Sequence, residues 1–251
     1  MAKALTVASW NCRGFSDSTV SELLAFFSTH RPAVIGLQDL GGNRDEPAAA
    51  RLHSARATLA GNGIIFSSDL ANDSSVAVLW SSELPAEETD AGRSDHSHSV
   101  TLLAETPLLL SSVYWRPDGS SLAIDISTFD TLHTSAAEMG LQLVVMGDVN
   151  SGMKAADYPQ DLAVTSTRPR HTRSGQLAAW LNQHCMTTCA VQQQMSWRLG
   201  NRESAPDHIL LAGSLAAQTV RQANVEAPSS DHDIIVAAMK AEPQANQQVV
   251  Q

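Results

Sequence analysis

The chain has 251 residues, 43% of them hydrophobic, enough to bury a substantial core and to form one or two domains. Its formal charge of -10, from 26 acidic and 16 basic residues, argues against a protein that coats nucleic acid, although a carboxylate-built catalytic site is itself acidic. No apolar run approaches the roughly 18 residues of a membrane span, no signal-like segment opens the chain, and three cysteines make a poor disulfide framework. The expectation is a soluble protein of a reducing, intracellular compartment with no membrane partner.

The alternating segment Leu5 to Trp10 predicts a half-buried strand. Thr19 to His30 predicts a helix, with Thr19 and Glu22 as a capping box and Val20, Leu23, Leu24 and Phe27 on one face. Pro32 stops it, and Ala33 to Leu37 returns to strand. Further strands are expected at Gly63 to Ser67, Val76 to Trp80, Ser99 to Ala104 and Leu108 to Trp115. A helix over Ala123 to Met139 leads into a strongly apolar strand at Leu141 to Met146. Ser174 to His184 reads as a short helix with Leu177, Trp180 and Leu181 inward. Gln192 to Ser196 is expected to pair with Asp207 to Leu211, and the last strand is Asp233 to Ala238. Many strands and few helices in mixed order suggest two packed sheets flanked by helices. Residues 1–240 read as one domain, and the Gln-rich stretch 241–251 as a disordered tail.

Polar motifs stand at four strand ends: Trp10-Asn11-Cys12-Arg13-Gly14, Gln38-Asp39, Gly147-Asp148-Val149-Asn150 and Ser230-Asp231-His232. Each alone has an ordinary reading as a turn or a solvated pair. Together they place acids, amides and a histidine where strand-end loops of a rigid scaffold converge. Cys185 and Cys189 beside His184 invite a zinc reading, but no second half of such a site is near, and buried thiols are the simpler reading. Asp95, His96 and His98 read as a polar loop, and His184 and Trp180 as packing residues.

With Val113-Tyr114 and Ser204-Ala205-Pro206-Asp207-His208-Ile209 added, the ordered set resembles the endonuclease/exonuclease/phosphatase superfamily from about Leu5 to Met239. The resemblance implies a four-layered α/β/β/α sandwich of two mixed β-sheets flanked by helices. It implies Mg2+, for which Mn2+ can substitute, on Asp39 and Asp231 with Asn11 close by. It also implies that Asp148 deprotonates the attacking water and that Asn150 holds water or phosphate. His232, kept charged by Asp207, donates to a phosphoryl oxygen, and Tyr114 stands near the phosphate or leaving oxygen. The sequence departs from the family pattern at Asp39, usually Glu, at Ser112, usually Asn, and at Pro206, usually Ile.

Ser174-Gly175-Gln176-Leu177, Met195-Ser196-Trp197-Arg198 and Ser204-Ala205-Pro206-Asp207 are similar to the endonuclease domain of non-LTR (LINE-type) retrotransposons. Those domains nick double-stranded DNA and leave a 3′-hydroxyl that primes a reverse transcriptase, to which the natural protein can be fused. A eukaryotic retroelement would bring such a protein into the nucleus. The expected DNA contacts are Arg13, Ser196, Trp197, Arg198, Arg202, Ser204 and Ser230, with a groove-entering hairpin between Ser196 and Ser204. The bland alternative buries Trp197 and leaves both arginines solvated. Arg168, Arg170 and Arg173 offer backbone contacts or a solvated loop. The competing functions are a phosphodiesterase or phosphatase of the same fold acting on a small molecule or lipid, and a catalytically weak DNA-binding targeting module.

Overall fold

A computed structural model of the chain describes residues 4–41, 46–68, 75–115, 122–150, 173–189, 196–199, 202–204 and 206–240. One six-stranded sheet has the order β13 (Thr219–Val225), β14 (Ile234–Lys240), β1 (Ala4–Asn11), β2 (Val34–Gln38), β4 (Val76–Ser81), β3 (Ile64–Ser67). The other runs β5 (Ala86–Ser94), β6 (Ser97–Leu102), β7 (Leu108–Tyr114), β8 (Gln142–Asp148), β12 (Asp207–Ala212), β9 (Met186–Thr188). Each sheet holds one parallel pair, β1 with β2 and β7 with β8. Helices α1 (Asp17–His30) and α3 (Leu122–Glu138) make the two crossovers. The remaining helices are α2 (Glu46–Gly61), α4 (Arg173–Gln183) and the single turn α5 (Gly213–Ala216).

Strand alternation separates three apolar layers. Val7, Val34 and Val78 of one sheet meet Leu110, Val144, Met146 and Ile209 of the other. Their neighbours Ala8, Ile35, Leu37 and Leu79 face α1 and α2. Leu109, Val145 and Leu210 face Phe129, Leu132, Leu177 and Trp180 of α3 and α4. The result is the expected four-layered α/β/β/α sandwich, because every central strand is apolar on both faces.

Several local expectations change. The α1 cap is Ser16, whose box partner is Thr19. Glu22, expected to close the box, accepts instead from the Ser229 N–H (2.8 Å) and hydroxyl (2.9 Å), tying α1 to the turn before β14. Of the expected pairing partner Gln192 to Ser196, residues 192–195 lie outside the described residues. Asp207–Ala212 pairs with β8 and β9, while β10 (Trp197–Leu199) and β11 (Arg202–Ser204) pair with each other. His98 sits buried in β6 rather than in a loop, with its Nε2 2.5 Å from the Ser67 hydroxyl. Of the two cysteines read as buried thiols, Cys189 is buried and free but Cys185 is exposed; Cys12 is a further buried free thiol. Trp180 packs as expected and donates to Asp130 (2.8 Å). The tail 241–251, Arg168 and Arg170 lie outside the described residues, as do the side chains of Arg202 and Ser204.

Candidate active site

Strand period and crossover direction bring the chemistry to one edge of the sandwich. Parallel strands end together, so Asn11 closes β1, Gln38 closes β2, Tyr114 closes β7 and Asp148 closes β8. Asp207 opens the antiparallel β12 directly opposite Asp148, and residues 230–233 lead into β14. Every second residue faces the other sheet. Val7 and Met146 do so, and therefore Asn11 and Asp148 do too. They meet across the sheets, with Asn11 Nδ2 donating to Asp148 Oδ2 at 2.7 Å.

The Asn11 Oδ1 accepts from the Arg13 N–H (2.9 Å), holding a turn in which Arg13 has φ 48°. Asp39 (φ 51°) and Asn150 (φ 44°) also adopt the left-handed region, which Asn and Asp tolerate better than most residues. Asp148 Oδ1 accepts from the Asn150 N–H (2.8 Å), and Asn150 Nδ2 donates to the Trp115 carbonyl (2.6 Å) and less closely to Asp148 Oδ2 (3.3 Å). A buried carboxylate with this many donors is fixed in direction. Gly147 permits the close approach beside it: a Cβ there would fall 2.5 Å from the Val113 carbonyl oxygen.

His232 Nδ1 lies 2.8 Å from Asp207 Oδ2, and the Ser196 hydroxyl donates to the same oxygen at 2.6 Å. The Ser230 hydroxyl donates to the Asn11 carbonyl (2.8 Å) and accepts from the His232 N–H (3.1 Å). Asp231 Oδ2 accepts from Arg13 Nη1 and from Trp197 Nε1, the latter at 3.0 Å. Arg198 Nη1 donates to both Asp233 oxygens (3.1 and 3.3 Å). Backbone bonds from Arg198 N to Asp231 O and from Asp233 N to Ser196 O seat the hairpin root on this turn. Ser196, Ser230, Trp197, Arg198 and Arg13, read from sequence as DNA contacts, thus brace the site's backbone and acids. Trp197 is half-buried, and Arg198 and Arg13 remain largely exposed. Tyr114 is half-buried beside Asp148 in the ladder.

The electrostatics follow from burying several acids together. Burial pushes the Asp148 carboxyl up to about 7, and the charge of Asp207 adds to the rise. His232, the Asn150 N–H and the Asn11 amide oppose it. Burial disfavours charge on His232, but the hydrogen bond to Asp207 and the charges of Asp207, Asp148 and Asp231 outweigh it, so its pKa rises. Asp39 is raised chiefly by burial, with His232 and Arg13 opposing and Asp231 reinforcing the shift.

This donor set fits a hard divalent cation. Asp207 Oδ1 and Asp231 Oδ1 are buried oxygens with no hydrogen-bond partner, and buried acceptors seldom stay unpaired. Among the described residues, Asp148, Asp207 and His232 present ligand atoms within 4.8 Å of one another. Hydrogen bonds already occupy much of that trio, since His232 Nδ1 faces Asp207 and Asp148 is held by Asn11 and Asn150. Asp231, with its unpartnered oxygen, and Asp39, within its electrostatic reach, are freer to coordinate.

The Endonuclease/Exonuclease/phosphatase family model matches residues 8–232, taking in all four strand-end motifs. The chain belongs to that family. Membership marks it as a hydrolase of the nuclease and phosphodiesterase type. Similar folds include the endonuclease domain of TRAS1, a telomere-specific non-LTR retrotransposon, at 15% identity and TM-score 0.69, covering 95% of this chain and 99% of that one. The 3′-5′ exonuclease NExo from Neisseria meningitidis is 17% identical, with TM-score 0.64 over 94% of this chain and all of that one. An AP endonuclease from Archaeoglobus fulgidus is 15% identical, with TM-score 0.62 over 94% and 99% of the two chains. No curated protein matches the chain. At these identities the likeness to solved structures concerns the fold.

Sequence reasoning missed the roles of Gln38 and Ser112, both fully buried beneath the site, and of Asp233, the anchor of Arg198. Gln38 was visible as a polar residue ending an apolar strand, but its partner across the sheets was not. A cavity of about 860 Å³ opens at the opposite end among Leu5, Phe27, Leu84 and Met239 and holds none of these residues.

Proposed function

We propose that this protein is a Mg2+-dependent DNA endonuclease that hydrolyses one phosphodiester bond by direct attack of water. The observation that carries this is the hydrogen-bonded pair Asn11–Asp148 beside the Asp207–His232 pair, a carboxyl and an imidazole held together in one buried site. Asp39 and Asp231 would hold the cation, which supplies charge stabilisation at the phosphoryl group. Asp148 takes the proton of the attacking water, and a carboxylate raised towards neutrality is suited to that task. Asn150 orients the water or the phosphate. His232 donates from Nε2 to a non-bridging oxygen, while Asp207 at Nδ1 holds its charge and tautomer. Tyr114 places its hydroxyl near the leaving oxygen, and no covalent intermediate is needed.

The substrate reading is double-stranded DNA, nicked to leave a 3′-hydroxyl that primes reverse transcription. It is supported by the span shared with the retrotransposon endonuclease domain and by the hairpin between residues 196 and 204. Such an enzyme acts in the nucleus if its source is a eukaryotic retroelement.

Supercoiled plasmid with Mg2+, Mn2+ or EDTA tests the reading. Nicked circles should form only with metal, and a polymerase should extend their 3′ ends. If wild type and Asp148→Ala leave the plasmid equally intact, the endonuclease reading is lost. Hydrolysis of a phosphoinositide but not of DNA would replace it with the small-molecule reading. DNA binding without cleavage would favour the targeting module, for which the short side chain of Asp39 is the supporting feature.

A further inference from the structure

The site is split between two sheets. Asn11 belongs to one, with Asp39 directly after its strand β2, and Tyr114, Asp148 and Asp207 belong to the other. Most of the contact between the sheets is apolar packing of residues such as Val7, Val34, Leu110, Val144 and Met146. Apolar burial is non-directional and does not by itself fix how one sheet registers on the other. One rung beneath the site the contact changes character. Gln38, fully buried, donates from Nε2 to the Ser112 hydroxyl (3.0 Å) and to the Met146 carbonyl (3.3 Å). Its Oε1 accepts from Ser9 (3.3 Å), and the Ser112 hydroxyl donates back across the gap to the Leu37 carbonyl (2.8 Å). Gly36 lets the backbones close around this array: a Cβ there would fall 2.8 Å from the Met146 Cβ and 3.2 Å from the Ser112 Cβ.

The four anchors stand in fixed relation to the chemistry. Ser9 is two residues before Asn11, Ser112 two before Tyr114 and Met146 two before Asp148, so each is the same-face neighbour of a site residue. Gln38 directly precedes Asp39.

We infer that Gln38 is a positioning residue, whose side-chain amide sets the separation and register of the two half-sites. This rests on the hydrolase reading above. Gln38 touches neither substrate nor cation; it acts through Asn11, Asp39, Tyr114 and Asp148. Both its amide protons and its oxygen are used, so no other side chain of similar length reproduces the array. Methionine fills the volume without donors and leaves the Ser9 hydroxyl, the Ser112 oxygen and the Met146 carbonyl each short of a partner.

The test compares Gln38→Met, Ser112→Ala and a control, Leu23→Ala, which weakens the outer layer away from the site. Plasmid nicking at saturating Mg2+ should show kcat falling on the order of tenfold to a hundredfold in Gln38→Met, since misplacement near 1 Å has that scale of effect. KM for DNA should stay within about threefold. Ser112→Ala should show the same split to a smaller degree. Leu23→Ala should lose thermal stability with kcat unchanged. A crystal structure of Gln38→Met should show the 2.7 Å Asn11–Asp148 bond lengthened beyond hydrogen-bonding range, an outcome that does not depend on activity. The inference is overturned if that bond is intact, or if kcat in Gln38→Met stays within twofold of an active wild type. Likewise, if Leu23→Ala loses kcat in proportion to its stability, general weakening explains the effect. Absence of metal-dependent hydrolysis by the wild type would instead count against the functional reading, with the crystal structure still deciding the role of Gln38.

Discussion

Replacing Asp148 by Asn should make the metal-free protein more resistant to unfolding as pH rises, while abolishing its activity. Asp148 is raised from 3.8 to about 7, first by burial and then by Asp207. Between those values the unfolded chain releases the proton and the folded chain keeps it, so stability falls as pH rises through the window. At 1.36 kcal/mol per pH unit, the penalty is about 2 kcal/mol at pH 5 and about 4 kcal/mol at pH 8. The gain of the Asn variant over wild type should therefore grow by about 2–3 kcal/mol between these pH values. A fixed cost is also expected, because the new amide opposes the Asn11 amide that now lies 2.7 Å from Asp148 Oδ2. That cost does not vary with pH, so the slope isolates the titration. Asp148 and His232 interact, and the slope belongs to the pair rather than to one residue. Urea unfolding of both proteins in EDTA at pH 5, 6, 7 and 8 measures it. Parallel curves, with the difference constant to about 0.5 kcal/mol, would refute the claim that an ionised Asp148 is a strained group in the fold.

Rate against pH should rise through a limb set by Asp148 and fall through one set by His232. Asp207→Asn should lower the His232 pKa and move the alkaline limb to lower pH, and a limb that stays in place would break the assigned pairing. Gly147→Ala puts a Cβ 2.5 Å from the Val113 carbonyl oxygen and should destabilise by about 1–3 kcal/mol in urea unfolding. A neutral result would mean that β7 and β8 can part there without cost. Asp39→Glu lengthens the carboxylate by one methylene and should lower the Mg2+ concentration for half-maximal nicking severalfold. A requirement that is unchanged or higher would show that reach does not limit the site.

The sandwich was legible where both faces of a strand are apolar, as in Val34 to Leu37 and Leu143 to Met146. It was not legible in β5, whose Ala-Glu-Glu-Thr-Asp run is largely exposed, or in the three-residue β9, too short to show a period. The α1 start misled because Glu22 fits a capping box by spacing, and only the fold reveals Ser229 as its partner. The site acids were legible because each stands at a strand end, where an apolar segment stops at a carboxylate. Their supports were not. That Ser196 bonds to Asp207, Trp197 to Asp231 and Arg198 to Asp233 depends on how the β10–β11 hairpin sits against residues 231–233, a pairing between segments about 35 residues apart in sequence that no local pattern encodes.

These supports bear on how an acidic protein handles a polyanion. Asp39, Asp148, Asp207 and Asp231 converge on one edge, and among the described residues Arg13 and His232 oppose the charge of Asp39 and Asp148. Both are already engaged, Arg13 with Asp231 and His232 with Asp207. Burial raises the carboxyl pKa values of Asp148 and Asp39, with the charges of Asp207 and Asp231 adding to the rise, and two buried acid oxygens stand without donors. A phosphate approaching this edge would meet repulsion, and a divalent cation is the economical remedy because it satisfies the oxygens and reverses the local charge at once. Arg13 is largely exposed and linked to the site through a single carboxylate oxygen, so a cation on Asp231 would loosen that link and leave the guanidinium for the backbone phosphates. If the chain cleaves DNA as proposed, metal binding would precede productive DNA binding. DNA affinity of the catalytically inactive Asp148→Asn variant should therefore rise with Mg2+, against the ordinary weakening that added salt brings.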